Sequence, residues 1–153
     1  MTAPAGGLAA GATGGGASGT SAGPAGPSAP VLTITTVVTG PTPAAREAAI
    51  HAAIAASPDV PTAVILEGLA SANSPLADCA PQVTVVRIAP GCLCCAGNLV
   101  LRVSLNRLLR RPPARLLISL ANAEHAGQLH GMLENAPYVG LLTLGANWHI
   151  HLT

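Results

Sequence analysis

Cys92, Cys94 and Cys95 stand together in the run Gly91-Cys92-Leu93-Cys94-Cys95. Three thiols at that spacing form a soft-ligand cluster. Zn²⁺ and Cu(I) prefer thiolate sulfur, and a Zn²⁺ site usually takes about four Cys or His ligands in a tetrahedron. The run therefore predicts a thiophilic metal, zinc first, held by Cys92, Cys94 and Cys95 with a further ligand from elsewhere. Adjacent Cys94 and Cys95 do not easily aim at one ion from a regular strand, so two of the three binding at once is the alternative arrangement, and an open position would suit metal transfer. Two other readings of the same residues stand beside this one. Cys92 and Cys95 also spell C-x-x-C, a disulfide or redox pair, and all three thiols can pack as small hydrophobes.

Several residues are candidates for the missing ligand. His149 and His151 flank Ile150 in an alternating run, and on a strand the i, i+2 spacing would put both imidazoles on one face about 6 to 7 Å apart; a solvated tail is the plainer reading. Cys79 has the right chemistry but lies in a Pro-flanked loop, where an idle or buried thiol is expected. His125 and His130 are five apart on a weak helix and share a face poorly, and His51 is expected at a helix surface. Glu67 ends a strand and reads first as an ordinary strand-end charge.

The elements that must position these residues follow from periodicity. Residues 1–30 are almost entirely Gly, Ala, Pro, Ser and Thr and are expected to be disordered, having too little apolar surface to offset the entropy of ordering; residues 31–153 form the predicted domain. Val31 to Thr39 is a β-branched run that predicts a buried strand. Gly40-Pro41-Thr42-Pro43 then turns into an Ala-rich helix to Ala56, with Thr42 as N-cap, Pro43 first and Ile50 and Ile54 on the buried face. Thr62 to Leu66 and Val83 to Ile88 predict two short strands, and the cysteine run follows the second. Leu101, Leu105, Leu108 and Leu109 mark an amphipathic helix over 98–110 that ends before Pro112-Pro113. A strand at 116–120, a weak helix at 124–134 and a strand at 139–144 complete the series. Strands alternating with helices predict an α/β fold with a mainly parallel sheet and flanking helices.

Composition narrows the function. Charged residues make up 8% of the 153 and balance to +1, so no global electrostatic case exists for nucleic acid or a membrane surface. All seven basic residues are Arg, and Arg102, Arg107, Arg110, Arg111 and Arg115 crowd into one region, either an anion patch or a solvated helix face. The first 30 residues make a poor signal peptide, and no apolar stretch reaches the roughly 18 residues of a membrane span despite a mean hydropathy of +0.52. A soluble cytoplasmic protein is the expectation, and four cysteines without a secretion signal argue against a disulfide framework.

The order of these features resembles the CobW-type family of P-loop metal-chaperone GTPases. Those proteins open with a strand and phosphate loop, carry a G-C-x-C-C segment before an amphipathic helix, and continue into a strand ending in Glu-Thr-x-Gly. The resemblance spans about residues 31–144, and its most specific part runs from Val85 through Ala89-Pro90-Gly91-Cys92-Leu93-Cys94-Cys95 to the leucines of the next helix and Arg115-Leu116-Leu117-Ile118. It implies a P-loop NTPase-like fold, with a phosphate loop at Gly40, Arg46 and Glu47 and a metal at the three cysteines. The loop departs from the working pattern of Gly, four residues, Gly-Lys-Ser/Thr, because its last three positions are Ala45, Arg46 and Glu47. Ala45 adds a β-carbon, Arg46 presents a broad fork in place of a compact ammonium, and Glu47 sets a carboxylate where a neutral Mg²⁺ ligand belongs. Repulsion between like charges at about 4 Å is worth roughly 1 to 4 kcal/mol. The Glu-Thr-x-Gly segment is replaced by Ser119-Leu120-Ala121-Asn122, and Thr153 comes before the place where the family reads guanine.

These readings lead to a CobW-like metal-binding protein, with zinc as ion, a metalloprotein as client and GTP hydrolysis lost. The alternatives are a weak nucleotide-binding GTPase of the same family and a thiol redox or regulatory protein using Cys92 and Cys95. Scarce charge and an open sheet edge leave room for a homodimer that covers the edge.

Overall fold

The computed structural model describes residues 30–90 and 99–152. Their sheet has six strands: β1 (Thr33–Thr39), β2 (Thr62–Glu67), β3 (Val83–Ile88), β4 (Arg115–Leu120), β5 (Leu142–Leu144) and β6 (Trp148–His149). Three α-helices, α1 (Pro43–Ala56), α2 (Leu99–Leu108) and α3 (Ala126–Leu133), and a 3₁₀ turn at Ala123–His125 connect them. The order is β3-β2-β4-β1-β5, with β6 continuing along β1 beyond β5, and every pairing between named strands is parallel. The fold is α/β with a parallel sheet, as the alternation predicted. Residues 1–29, 91–98 and 153 lie outside the described residues, and with them the expected disorder of the N-terminal segment and the cysteine run.

The two faces of the sheet are built by alternate residues of the same strands. Val38, Val64, Leu66 and Leu117 pack with Ile50 and Ile54 of α1, while Val37, Ala63, Ile65, Leu116, Ile118 and Leu120 pack with Leu101 and Leu105 of α2 and Leu129 and Leu133 of α3. Topology explains this division. From β1 the chain moves past β4 to β2, whereas from β3 it returns to β4, and crossovers of one hand then put their helices on opposite faces. Between β2 and β3 the chain crosses without a helix, and Ser74 and Leu76 of that loop are buried on the α1 side.

Several expected bounds shift. The first strand starts at Thr33, because Val31 and Leu32 are exposed before pairing begins, and the last expected strand shrinks to Leu142–Leu144. The weak helix divides into the 3₁₀ turn capped by Asn122 and α3. Arg115 does not belong with the other arginines. It sits on β4, where Nε and Nη2 donate to Thr62 Oγ1 at 3.1 and 3.0 Å and Nη1 donates to the Ala53 carbonyl at 3.2 Å, satisfying one of the orphan acceptors in the last turn of α1. No helix among the described residues is long and apolar enough to cross a membrane.

Candidate functional site

In an open parallel sheet, ligands bind beyond the carboxyl ends of the strands, at the point where successive connections leave in opposite directions. Here that point lies between β1, whose helix leads toward β2, and its neighbour β4, whose helix leads toward β5. Thr39 and Leu120 are register partners at its lip. Arg46, from the first turns of α1, spans the crevice: Nε donates to Ser119 Oγ of β4 at 2.9 Å and Nη1 donates to the Gly40 carbonyl after β1 at 2.8 Å. Its residue exposure is 2%. Burial lowers the guanidinium's pKa from its ordinary value, with Glu67 and then Glu47 acting in the opposite direction, and the group stays a cation at neutral pH.

Glu47 does not face an open phosphate position. Its carboxylate receives a forked pair from Arg87 of β3, Nη1 to Oε1 at 3.0 Å and Nη2 to Oε2 at 3.3 Å, and a hydrogen bond from Ser74 Oγ to Oε2. Ser74 Oγ in turn accepts from Arg87 Nη2 at 2.9 Å and from the Leu76 amide at 3.3 Å, so the hydroxyl is fully used. Burial alone would push the Glu47 carboxyl up; the hydrogen bonds from Arg87 and Ser74, with the Arg87 and Arg46 charges, outweigh it and hold the group below its ordinary value. The expected repulsion between Glu47 and a triphosphate is thus replaced by a clamp that ties α1 to β3 and to the helix-free crossover. Glu67, at the end of β2, is 6% exposed and accepts from the Ala121 amide at 2.8 Å. It is a buried bridge to the turn after β4, not an ordinary strand-end charge. Arg46, Glu47, Glu67 and Arg87 cancel in charge, leaving no surplus cation for phosphate.

The loop itself offers few free amides for a phosphate cradle. A working cradle needs several free backbone N–H groups at a helix N-terminus. Here α1 already starts at Pro43, with Pro41 and Pro43 offering no N–H, the Ala45 amide donating to its N-cap Thr42 Oγ1 at 3.1 Å and the Arg46 amide donating to the Thr42 carbonyl at 3.2 Å. Ala45, Arg46 and Glu47 therefore lie inside the helix. The space above Gly40 is also taken. A β-carbon there would meet Ile150 Cβ at 2.9 Å and Arg46 Cγ at 3.2 Å, and the Ile150 amide is tied to the Thr39 carbonyl at 2.7 Å. Mg²⁺ and nucleotide do not fit this arrangement.

Cys92, Cys94 and Cys95 lie outside the described residues, in the sequence between β3 and α2. The candidates for a further ligand are not gathered. Cys79 is half-buried and its Sγ donates to the Leu76 carbonyl at 3.5 Å; burial first, and Asp78 second, push its thiol above the ordinary 9.0. His149 ends β6 with Nδ1 hydrogen-bonded to Thr39 Oγ1 at 2.7 Å, and His151 lies past the strand, so the strand geometry that would align the two imidazoles does not extend to both. His51 is exposed on α1, His125 sits in the 3₁₀ turn and His130 on α3, where its Nε2 is enclosed without a hydrogen-bond partner among the described residues. Among the described residues no group of three His, Cys, Asp or Glu side chains could hold a metal ion.

Arg87, Ser74 and Ile150 belong to this site but are not among the candidates that motif and spacing single out. Arg87 carried a usable signal, being the one charge inside the apolar strand Val83–Ile88, and a buried-strand charge demands a partner. Ser74 and Ile150 offered none, since their roles arise only when the crossover and the C-terminal segment close over α1 and Gly40.

Compared with known proteins, the chain matches no family model, no curated protein and no solved structure.

Proposed function

We propose that this protein binds and hands on a thiophilic metal ion, Zn²⁺ first, through Cys92, Cys94 and Cys95, on a P-loop NTPase-like scaffold of CobW-like ancestry whose nucleotide chemistry is lost. The observation that carries the second half of this reading is Arg46 bridging Gly40 and Ser119 across the crevice between β1 and β4. The side chain that stands in the phosphate-lysine position serves the protein's own carbonyl and hydroxyl. What supports the first half is the donor set: three soft thiols within one short run, in the sequence just beyond the carboxyl end of β3. Zinc is then cargo, transferred to a metalloprotein client, and an incomplete thiolate shell favours exchange over permanent capture. The remaining roles fall to the buried clamps, which hold the carboxyl ends of β1, β2, β3 and β4 together without nucleotide.

Two titrations of the reduced full chain test this. Co²⁺ should give a sulfur-to-metal charge-transfer band, and Mg²⁺-GTP and Mg²⁺-ATP should give no binding heat. Absence of the band overturns the metal reading. Tight, GTP-selective binding would restore the GTPase alternative, and a Cys92–Cys95 disulfide that forms reversibly while no metal binds would favour the redox one.

A further inference from the structure

β3 forms one edge of the sheet. The Thr62 amide donates to the Gln82 carbonyl at 3.1 Å and the Gly68 amide to the Ile88 carbonyl at 2.9 Å, so alternation turns the backbone groups of Gln82, Thr84, Val86 and Ile88 toward β2. The N–H and C=O of Val85 and Arg87 are left facing the open edge, where no described strand pairs with them. Beside this edge runs a groove of about 610 Å³ between β3 and α2, floored by Val86 and Leu108 and walled by Val103, Arg107, Arg110 and Arg111. Val103 is 57% exposed. The three arginines are exposed, and no acidic residue lines the groove. A helix C-terminus favours a cation, but that alone does not call for three of them along an open strand edge with an exposed valine.

We propose that this groove binds an acidic, extended peptide segment of a partner protein, which adds to β3 as a further strand. The edge supplies main-chain donors and acceptors, and the pleat sends alternate side chains of the incoming strand toward α2. Carboxylates at those positions meet Arg107, Arg110 and Arg111, while the apolar floor takes the aliphatic parts. Charge decides among occupants. Residues 1–29 of this chain contain no Asp or Glu. A second copy joined edge to edge would bring the two α2 helices side by side, and the stretch Leu99–Arg111 holds four arginines (Arg102, Arg107, Arg110, Arg111) and no acid. Only a partner that brings its own carboxylates relieves both the open edge and the unmatched cations. The proposal stands independently of the metal reading.

The test uses the full chain and a labelled peptide alternating Glu with Val, alongside Gln-for-Glu and Lys-for-Glu versions, followed by fluorescence anisotropy. The Glu peptide alone should bind, weakening as salt rises, and Arg107→Glu with Arg110→Glu should weaken it by about tenfold or more. The milder pair Arg107→Gln and Arg110→Gln should fall between, and circular dichroism should show both variants folded, since these side chains are exposed. Hydrogen exchange at the Val85 and Arg87 amides should slow only with the Glu peptide. Equal binding of the Gln peptide, no binding of any peptide, or unchanged binding by the folded charge-reversed variant overturns the proposal. So does a dimer, seen by sedimentation, that protects those amides without peptide.

Discussion

Nη1 of Arg46 donates to the carbonyl oxygen of Gly40 at 2.8 Å, closing the first turns of α1 onto the residue that leaves β1. Nε of the same side chain reaches Ser119 on β4. The crevice at which this topology would bind a ligand is therefore spanned by protein, and the cation placed to meet a phosphate is already hydrogen-bonded.

Restoring the phosphate-loop residues should not restore the site. Ala45→Gly, Arg46→Lys and Glu47→Thr together should leave Mg²⁺-GTP and Mg²⁺-ATP binding undetectable by calorimetry, because Pro43 and the Thr42 cap start the helix too early and Ile150 occupies the space over Gly40. The triple variant should also melt earlier than the parent, having lost the partner of Arg87. A clear gain in triphosphate affinity would show that the cap yields to the ligand.

Removing the carboxylate alone isolates the clamp. Glu47→Ala should destabilise the fold by about 2–3 kcal/mol in urea unfolding, at or just below the low end for a broken buried pair because Arg87 keeps 24% exposure and can rehydrate. A loss under about 0.5 kcal/mol would place Glu47 with ordinary surface charges.

The same group sets an acid limb. The Glu47 carboxyl titrates below its ordinary 4.5 in the folded state, so its stabilising contribution is fully present above that value and is lost as pH falls through the lower folded value. Unfolding free energy measured from pH 6 downward should drop in the region below about 4.5, and Glu47→Gln should flatten that part of the curve. An unchanged slope in the variant would assign the acid limb to other carboxylates.

Arg115→Met keeps much of the aliphatic stem while deleting the guanidinium that joins Thr62 Oγ1 to the Ala53 carbonyl. About 1–2 kcal/mol of stability should go with it, read by thermal or chemical unfolding. A neutral result would mean water replaces the guanidinium at the end of α1.

Thiol chemistry should separate the cysteines. Cys92→Ser with Cys94→Ser should abolish the Co²⁺ charge-transfer band, whereas Cys79→Ser should leave it largely intact, and the band should fade as pH drops into the range where thiolates protonate. Cys79, raised by burial and by Asp78, should alkylate slowly at neutral pH, since the thiolate is the reactive form. Persistence of the band in the double variant would move the site.

What the sequence determined by itself was local. Thr42 before Pro43 set the start of α1, since a hydroxyl cap and a residue without N–H suit only that end of a helix. The β-branched run after Leu32 and the spacing of Leu101 and Leu105 assigned strand, helix and buried face, because burial on one side imposes a period that can be counted. The tertiary structure alone decided the partners. Nothing near Glu47 in sequence announces Arg87 or Ser74, and nothing near Arg46 announces Ser119; these pairs are 40, 27 and 73 residues apart. The sheet order brings them together, since returning β4 to lie between β1 and β2 sets Ser119 beside the loop after β1. A charge leaving water needs a counter-charge or hydrogen bonds within a few ångströms, whatever their distance along the chain. Periodicity shows which residues are buried, but the crossovers choose what they meet.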